Sequence, residues 1–204
     1  MIIYDFFAGT GSATQAFEDA GHTVIKVELD QYFEAHERDI LALNAADLIE
    51  KYGKPDFIWA SPPCTTFSVA SCSTYWTPEG TPKNDKALAG IQMVKHTINL
   101  INALNPSKGY IIENPRGMLR KQSIMDFMDR RTVTYCQYGD TRMKPTDLWG
   151  RVDGWNPRKH CKAGNPCHES APRGSRNGTQ GIKGAKNRSR VPYELSLELL
   201  NAIK

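Results

Sequence analysis

Ile2-Ile3-Tyr4-Asp5-Phe6-Phe7-Ala8-Gly9-Thr10-Gly11-Ser12 decides the fold class. Ile2–Phe6 is a short apolar and aromatic run, the pattern of a buried strand, and it ends in a glycine turn. Ser12 is a suitable N-cap for a helix reaching about Ala20, where Gly21 can take the left-handed C-terminal position. Thr23–Val27 reads as a second strand ending at Glu28. Strand, glycine loop, helix and strand in this order form the opening unit of a parallel α/β sheet.

The same alternation continues downstream. Asp56–Ala60 is a third strand that runs into Ser61-Pro62-Pro63-Cys64. Ile91, Val94, Ile98 and Ile101 recur at helical spacing within a helix predicted from about Ala87 to Leu104. Gly109–Ile112 is the next strand and leads into Glu113-Asn114-Pro115. A helix over about Leu119–Arg130 and a strand at Thr132–Tyr135 follow. Beyond Trp149 the periodicity fades until Pro192, where Leu195, Leu199 and Ile203 mark a last helix. The expectation is an α/β fold with a mostly parallel sheet and helices on both faces. Residues 1–149 form its core, 150–190 a small irregular basic segment, and 191–204 a helix packing back on the core.

Charge is distributed unevenly. Residues 151–190 carry ten Lys or Arg against two acids, a net +8, which leaves −4 for the rest of the 204-residue chain. A basic segment on a mildly acidic body suits a polyanion, although a solvated loop rich in Lys and Arg has the same composition. No apolar run approaches the roughly 20 residues needed to cross a bilayer. The first residues lack the features of a signal peptide, so a cytoplasmic protein is expected. Five cysteines, an odd number, argue against a disulfide framework and for at least one free thiol.

Ligands of a parallel sheet bind beyond the carboxyl ends of its strands. Three such ends carry reactive or permissive residues. Gly9 and Gly11 allow close backbone approach, and Glu28 follows Gly11 by seventeen residues, near the spacing at which an acid binds ribose hydroxyls. Ala13 and Thr14 stand where a dinucleotide fingerprint has its third glycine, which favours a nucleoside cofactor over a pyrophosphate. Pro62 and Pro63 fix the backbone ahead of Cys64, whose thiolate would be a nucleophile. Glu113 could exchange a proton with a substrate ring, with Asn114 fixing its orientation. Each has a plainer reading: a strand-to-helix turn, a buried structural cysteine, a carboxylate capping a turn.

In combination and in order, these segments resemble the C5-cytosine-specific DNA methyltransferase family, and most closely its compact bacteriophage-type members. Asp5-Phe-Phe-Ala-Gly-Thr-Gly11, Pro62-Pro63-Cys64 with Phe67-Ser68, and Glu113-Asn114 correspond to its ordered motifs. Gln137–Thr146 resembles a later basic motif, and Arg190-Val-Pro-Tyr-Glu-Leu195 the last motifs. The resemblance implies a Rossmann-like methyltransferase fold using S-adenosylmethionine. Phe7, Gly9 and Gly11 would line the cofactor pocket, Glu28 would hold the ribose, and Asp39 would meet the adenine amino group. Cys64 would attack carbon 6 of a cytosine flipped out of duplex DNA, Glu113 would contact its N3 edge, and Arg142 would assist. It further implies a monomer in the host bacterium's cytoplasm and a restriction-modification setting. Methylation of RNA cytosine and a catalytically inactive DNA-binding decoy remain alternatives, whereas a nicotinamide oxidoreductase has only the glycine loop in its favour.

The chain departs from the family pattern in several places. Ser61-Pro62 replaces a glycine-aromatic pair, Pro115 replaces a valine, and Arg142-Met143-Lys144 replaces an Arg-x-Arg pair. Only about forty residues stand where a target-recognition domain is expected. Among them His160, Cys161, Cys167 and His168 offer either a zinc site or a polar loop with free thiols. Ser71–Lys86 is a candidate loop for closing over the flipped base.

Overall fold

The computed structural model describes residues 1–169 and 184–204. Arg173, Arg176 and Lys183 of the basic segment lie outside the described residues. Six strands form one sheet: β1 (Ile2–Phe6), β2 (Thr23–Val27), β3 (Phe57–Ala60), β4 (Tyr110–Pro115), β5 (Arg130–Thr134) and β6 (Pro145–Arg151). Their spatial order is β2-β1-β3-β4-β6-β5. The first four run parallel to one another. By contrast, β6 runs antiparallel to both β4 and β5. The sheet is thus mostly parallel, as expected, with β1–β5 running one way and β6 inserted between β4 and β5 as a reversed strand.

That reversal matters for the site. Pro115 at the end of β4 is opposite Thr146 at the start of β6, and Thr134 at the end of β5 is opposite Pro145. The carboxyl ends of β1–β5 and the amino end of β6 thus share one edge. The chain also leaves β1 toward β2 on one side and reaches β3 on the other, which opens a crevice at that edge.

Burial on both faces explains the central strands. Ile3, Tyr4 and Phe6 are fully buried, with Tyr4 and Phe6 in one apolar cluster and Ile3 in the other. The first cluster is covered by α2 (Ala45–Tyr52) and α4 (Asp85–Leu104), the second by α1 (Gln15–Asp19) and α6 (Tyr193–Ile203). In α6, Leu195, Leu199, Leu200 and Ile203 pack with Phe17, Phe57 and Trp59. Ser196 Oγ accepts from the Ala16 amide at 3.3 Å, and Ser12 Oγ from the Val191 amide at 2.9 Å. The chain's last helix is thereby fastened behind its first glycine loop.

Several local expectations are corrected. The first helix starts at Gln15 and not at Ser12, since Gly11 and Ser12 remain in the loop. The predicted helix over Leu119–Arg130 is two 3-10 turns, Met118–Lys121 and Ser123–Met125. Gln122 interrupts it, donating to the carbonyl oxygens of Gly80 and Met118. Ser71–Lys86 contains α3 (Cys72–Tyr75) and is anchored by Trp76, which is buried, stacks on Phe67 and donates to the Thr66 carbonyl oxygen at 2.7 Å. The basic segment ends in a short helix, α5 (Ala185–Ser189). No helix among the described residues is long and apolar enough to cross a membrane.

Candidate active site

Cys64 lies in the turn after β3. The turn is closed by the amides of Phe67 and Ser68, which both donate to the Cys64 carbonyl oxygen, at 3.0 and 2.9 Å. It is tied to β1 through the Ser61 amide on the Phe6 carbonyl oxygen, 3.0 Å, and to β4 through Asn114 Nδ2 on the Pro62 carbonyl oxygen, 2.9 Å. A further tie comes from Gly117, whose backbone pairs with Ser68. The half-buried thiol is held above its ordinary range, chiefly by burial and next by the Glu113 charge, while Lys144 and Arg188 pull it down.

Glu113 is buried near the end of β4. Its Oε1 accepts from the Tyr135 hydroxyl at 3.1 Å and lies 3.9 Å from Lys144 Nζ. Lys144 also sits 4.6 Å over the Tyr135 ring and donates to the Arg188 carbonyl oxygen at 3.2 Å. Burial and the neighbouring Glu113 hold the Tyr135 hydroxyl well above its ordinary value, so it remains a donor. The reversed strand β6 delivers Lys144, and the end of β5 delivers Tyr135. Asn114 does not orient Glu113 as expected; it holds the Cys64 turn, and Tyr135 orients Glu113 instead.

A family model described as C-5 cytosine-specific DNA methylase matches residues 1–129, the part that holds both Cys64 and Glu113. This chain belongs to that family. A curated relative from Frog virus 3 (isolate Goorha), named probable DNA (cytosine-5)-methyltransferase, is 32% identical over 223 residues. The alignment covers 98% of this methylase and 99% of the relative. Among solved structures, the Entamoeba histolytica methyltransferase EhMeth is similar at TM-score 0.55 and 13% identity, covering 79% of this chain and 57% of that one. S. pombe Dnmt2 methyltransferase is similar at TM-score 0.51 and 12% identity, covering 76% and 50%. The fold of this methylase is therefore a methyltransferase fold, and the chain spans only about half the length of those structures.

The proposed cofactor residues gather at the ends of β1 and β2. Phe7, Gly9 and Gly11 all have positive φ, at 62°, 49° and 70°. This winds the loop tightly after β1, and at Phe7 it places a non-glycine residue in left-handed backbone. The Gly9 amide donates to Glu28 Oε2 at 2.8 Å, and Asp30 donates to Glu28 Oε1 at 2.9 Å. Asp39 is exposed and caps a 3-10 turn, its Oδ1 accepting from the Leu41 amide at 3.0 Å. Leu29, beside Glu28, is an exposed apolar side chain, 67% accessible. An acid for a diol, a glycine loop and apolar surface for a flat base form a donor set that fits a nucleoside cofactor.

Arg142 is engaged elsewhere. Its Nη2 pairs with Glu169 Oε2 at 2.7 Å and its amide donates to Asp140 Oδ1 at 2.9 Å. The cation beside Glu113 is Lys144, the residue at which the Arg-x-Arg pattern is broken. In the sequence alone, Lys144 stands out only as a departure from that pattern.

Proposed function

We propose that this methylase transfers a methyl group to carbon 5 of cytosine in DNA, with Cys64 as nucleophile. The observation that carries this reading is the convergence of Cys64, Glu113 and Lys144 at one sheet edge, with the Cys64 turn bonded to Asn114 and Glu113 to Tyr135. Carbon 5 of cytosine is too weakly nucleophilic while the ring is aromatic. Addition of the Cys64 thiolate to carbon 6 breaks that aromaticity, and a proton passed from Glu113 to N3 neutralises the negative charge that the ring acquires. Tyr135 occupies one oxygen of Glu113 and leaves the other for the base. Lys144 favours the thiolate that burial opposes. Once carbon 5 has taken the methyl group, loss of its proton expels the thiolate, N3 returns its proton to Glu113, and the aromatic ring is restored.

S-adenosylmethionine, when bound, supplies the electrophilic methyl group. Glu28 would hold its ribose hydroxyls, Gly9 and Gly11 would admit its backbone-facing atoms, and Phe7, Leu29 and Asp39 would enclose its adenine. The Glu28 bond to the Gly9 amide has to open or be shared for this. The target base would be flipped out of the duplex, at a cost of a few kcal/mol. The basic segment, which borders Lys144 through Arg188, would supply phosphate contacts.

Duplex DNA containing 5-fluorocytosine tests this directly, since fluorine at carbon 5 blocks the final elimination. With S-adenosylmethionine present, the wild-type chain should form a complex that survives denaturing electrophoresis, and Cys64→Ser should not. Lack of a complex from a protein that transfers radiolabelled methyl groups to DNA would overturn the mechanism. Transfer confined to RNA would overturn the substrate.

A further inference from the structure

Away from the Cys64 site, four potential metal ligands converge: Cys136, Cys161, Cys167 and His168. Their ligand atoms all lie within 4.8 Å of one another. Cys161 Sγ is 3.3 Å from Cys167 Sγ, and Cys167 Sγ is 3.8 Å from Cys136 Sγ. His168 Nδ1 is 3.5 Å from Cys161 Sγ and 3.6 Å from Cys167 Sγ. A zinc tetrahedron with bonds of about 2.3 Å to sulfur and about 2.0 Å to nitrogen has S···S edges of about 3.8 Å and S···N edges of about 3.5 Å. Three of these four edges match within about 0.1 Å and the fourth is shorter by about half an ångström, while the other two, from Cys136 to Cys161 and to His168, are within 4.8 Å.

We propose that Cys136, Cys161, Cys167 and His168 bind one Zn²⁺ in a closed structural site that fastens the basic segment to the catalytic core. Three soft sulfurs and one imidazole are the donor set zinc selects, and four protein ligands leave no open position for chemistry. On binding, the thiols release their protons to solvent and no electron is transferred. His160, the neighbour suggested by the Cys-His and Cys-His pairs in the sequence, is exposed and takes no part. Cys136 replaces it from the short turn after β5.

The surroundings support a structural role. Between Asn156 and Glu169, Cys161 is the one apolar residue that is buried, so this stretch has almost no core of its own. Partners beyond the four ligands are already present: the Cys161 amide donates to Thr134 Oγ1 at 2.9 Å, and Gln137 Nε2 to Cys167 Sγ at 3.2 Å. The two sides of the cluster also lead to the active-site edge. Cys136 follows Tyr135, which bonds Glu113, and His168 precedes Glu169, which pairs with Arg142. A metal would supply the folding energy that this stretch lacks and hold Arg142's partner in place.

The full chain, expressed in zinc-supplemented medium and purified under reducing conditions, should contain one zinc per chain by elemental mass spectrometry. Cys136→Ser and Cys167→Ser should lower that to background, and His160→Ala should retain it. Should the serine variants aggregate, exchange of the wild-type metal for Co²⁺ keeps the test open. It should give the strong visible bands of a tetrahedral thiolate-rich site, shifted in His168→Cys. A metal-free wild type without those cobalt bands would overturn the proposal. So would retention of zinc by Cys136→Ser with loss in His160→Ala, or a Cys161–Cys167 disulfide in its place.

Discussion

The side-chain amide of Asn114 donates to the carbonyl oxygen of Pro62 across 2.9 Å, and this bond joins the end of β4 to the turn that carries Cys64. Asn114 is wholly buried, and its Oδ1 has no partner among the described residues. Pro62 has no amide hydrogen, and the prolines on either side of the bond limit how the turn can relax. Asn114 thus positions Cys64, the proposed nucleophile, through the backbone of its turn.

Asn114→Ala should therefore impair turnover more than stability. Loss of one buried hydrogen bond costs roughly 1–3 kcal/mol, while a displacement of the thiol by about 1 Å costs on the order of 10²-fold in rate. Urea denaturation and methyl-transfer kinetics on the same preparation would check both. KM for S-adenosylmethionine should stay near the wild-type value, because the proposed cofactor residues lie in the segments that follow β1 and β2. A fall in activity no larger than the lost folded fraction would contradict the positioning role.

Cys64 should respond in opposite directions to its two charged neighbours. Its thiol is raised by burial and by Glu113 and lowered by Lys144. Glu113→Gln removes a negative charge, so the thiolate should appear at lower pH. Lys144→Met removes a positive charge, so it should appear at higher pH. At about pH 8 the alkylation rate of Cys64 should rise and fall, respectively, by roughly 3- to 10-fold relative to wild type. Iodoacetamide labelling resolved by peptide mass spectrometry separates Cys64 from the other four cysteines. Shifts of the same sign in both variants would rule out this electrostatic arrangement.

The parts of the fold legible in the sequence are those whose cause is local. Ile2–Gly11 declares a strand and a tight loop through composition alone, and Pro62-Pro63-Cys64 declares a fixed turn. Strand β6 had no such signal. It begins at Pro145, and its buried Thr146 and Asp147 look like loop residues until their partners are known. Asp147 accepts from Arg120 Nε at 2.8 Å and from Thr132 Oγ1 at 2.7 Å, contacts made by other elements. Because β6 was not foreseen, neither was the delivery of Lys144 to Glu113. Cys136 carries no local signal toward the proposed zinc site either, since it lies twenty-five residues before Cys161 and only folding brings them together.

Gly117 is required for a contact and not for its backbone angle. Its φ of −172° is open to any residue, but a Cβ there would sit 2.2 Å from the Phe67 carbonyl oxygen. That oxygen accepts from the Met118 amide at 2.7 Å, and Ser68 pairs with Gly117. Gly117→Ala should push the Phe67–Ser68 backbone away and with it the Cys64 turn. The expected cost is roughly 1–3 kcal/mol in stability, together with a drop in transfer rate beyond what unfolding explains. Differential scanning calorimetry paired with a radiolabelled methyl-transfer assay would measure both, and a fully active, equally stable variant would refute the contact.

Asp5 makes the fold's stability depend on pH. Its carboxyl, borne by β1, is wholly buried, Oδ2 accepts from Thr14 Oγ1 at 2.7 Å, and Oδ1 has no partner among the described residues. Burial pushes it up to about 7, against the Thr14 hydrogen bond and Lys26. The folded chain therefore holds this proton more tightly than the unfolded chain does. The stabilisation is complete below the unfolded value, near 4, and is lost as pH rises through about 7. Asp5→Asn keeps the acceptor for Thr14 but cannot ionise. Its amide NH₂ takes the place of Oδ1 and can cost stability at every pH, so the informative quantity is the slope. Between about pH 5 and pH 8 the wild type should lose roughly 1–3 kcal/mol relative to Asp5→Asn. Parallel urea titrations across that range would measure the difference, and two parallel pH profiles would show that Asp5 titrates as an ordinary carboxylate.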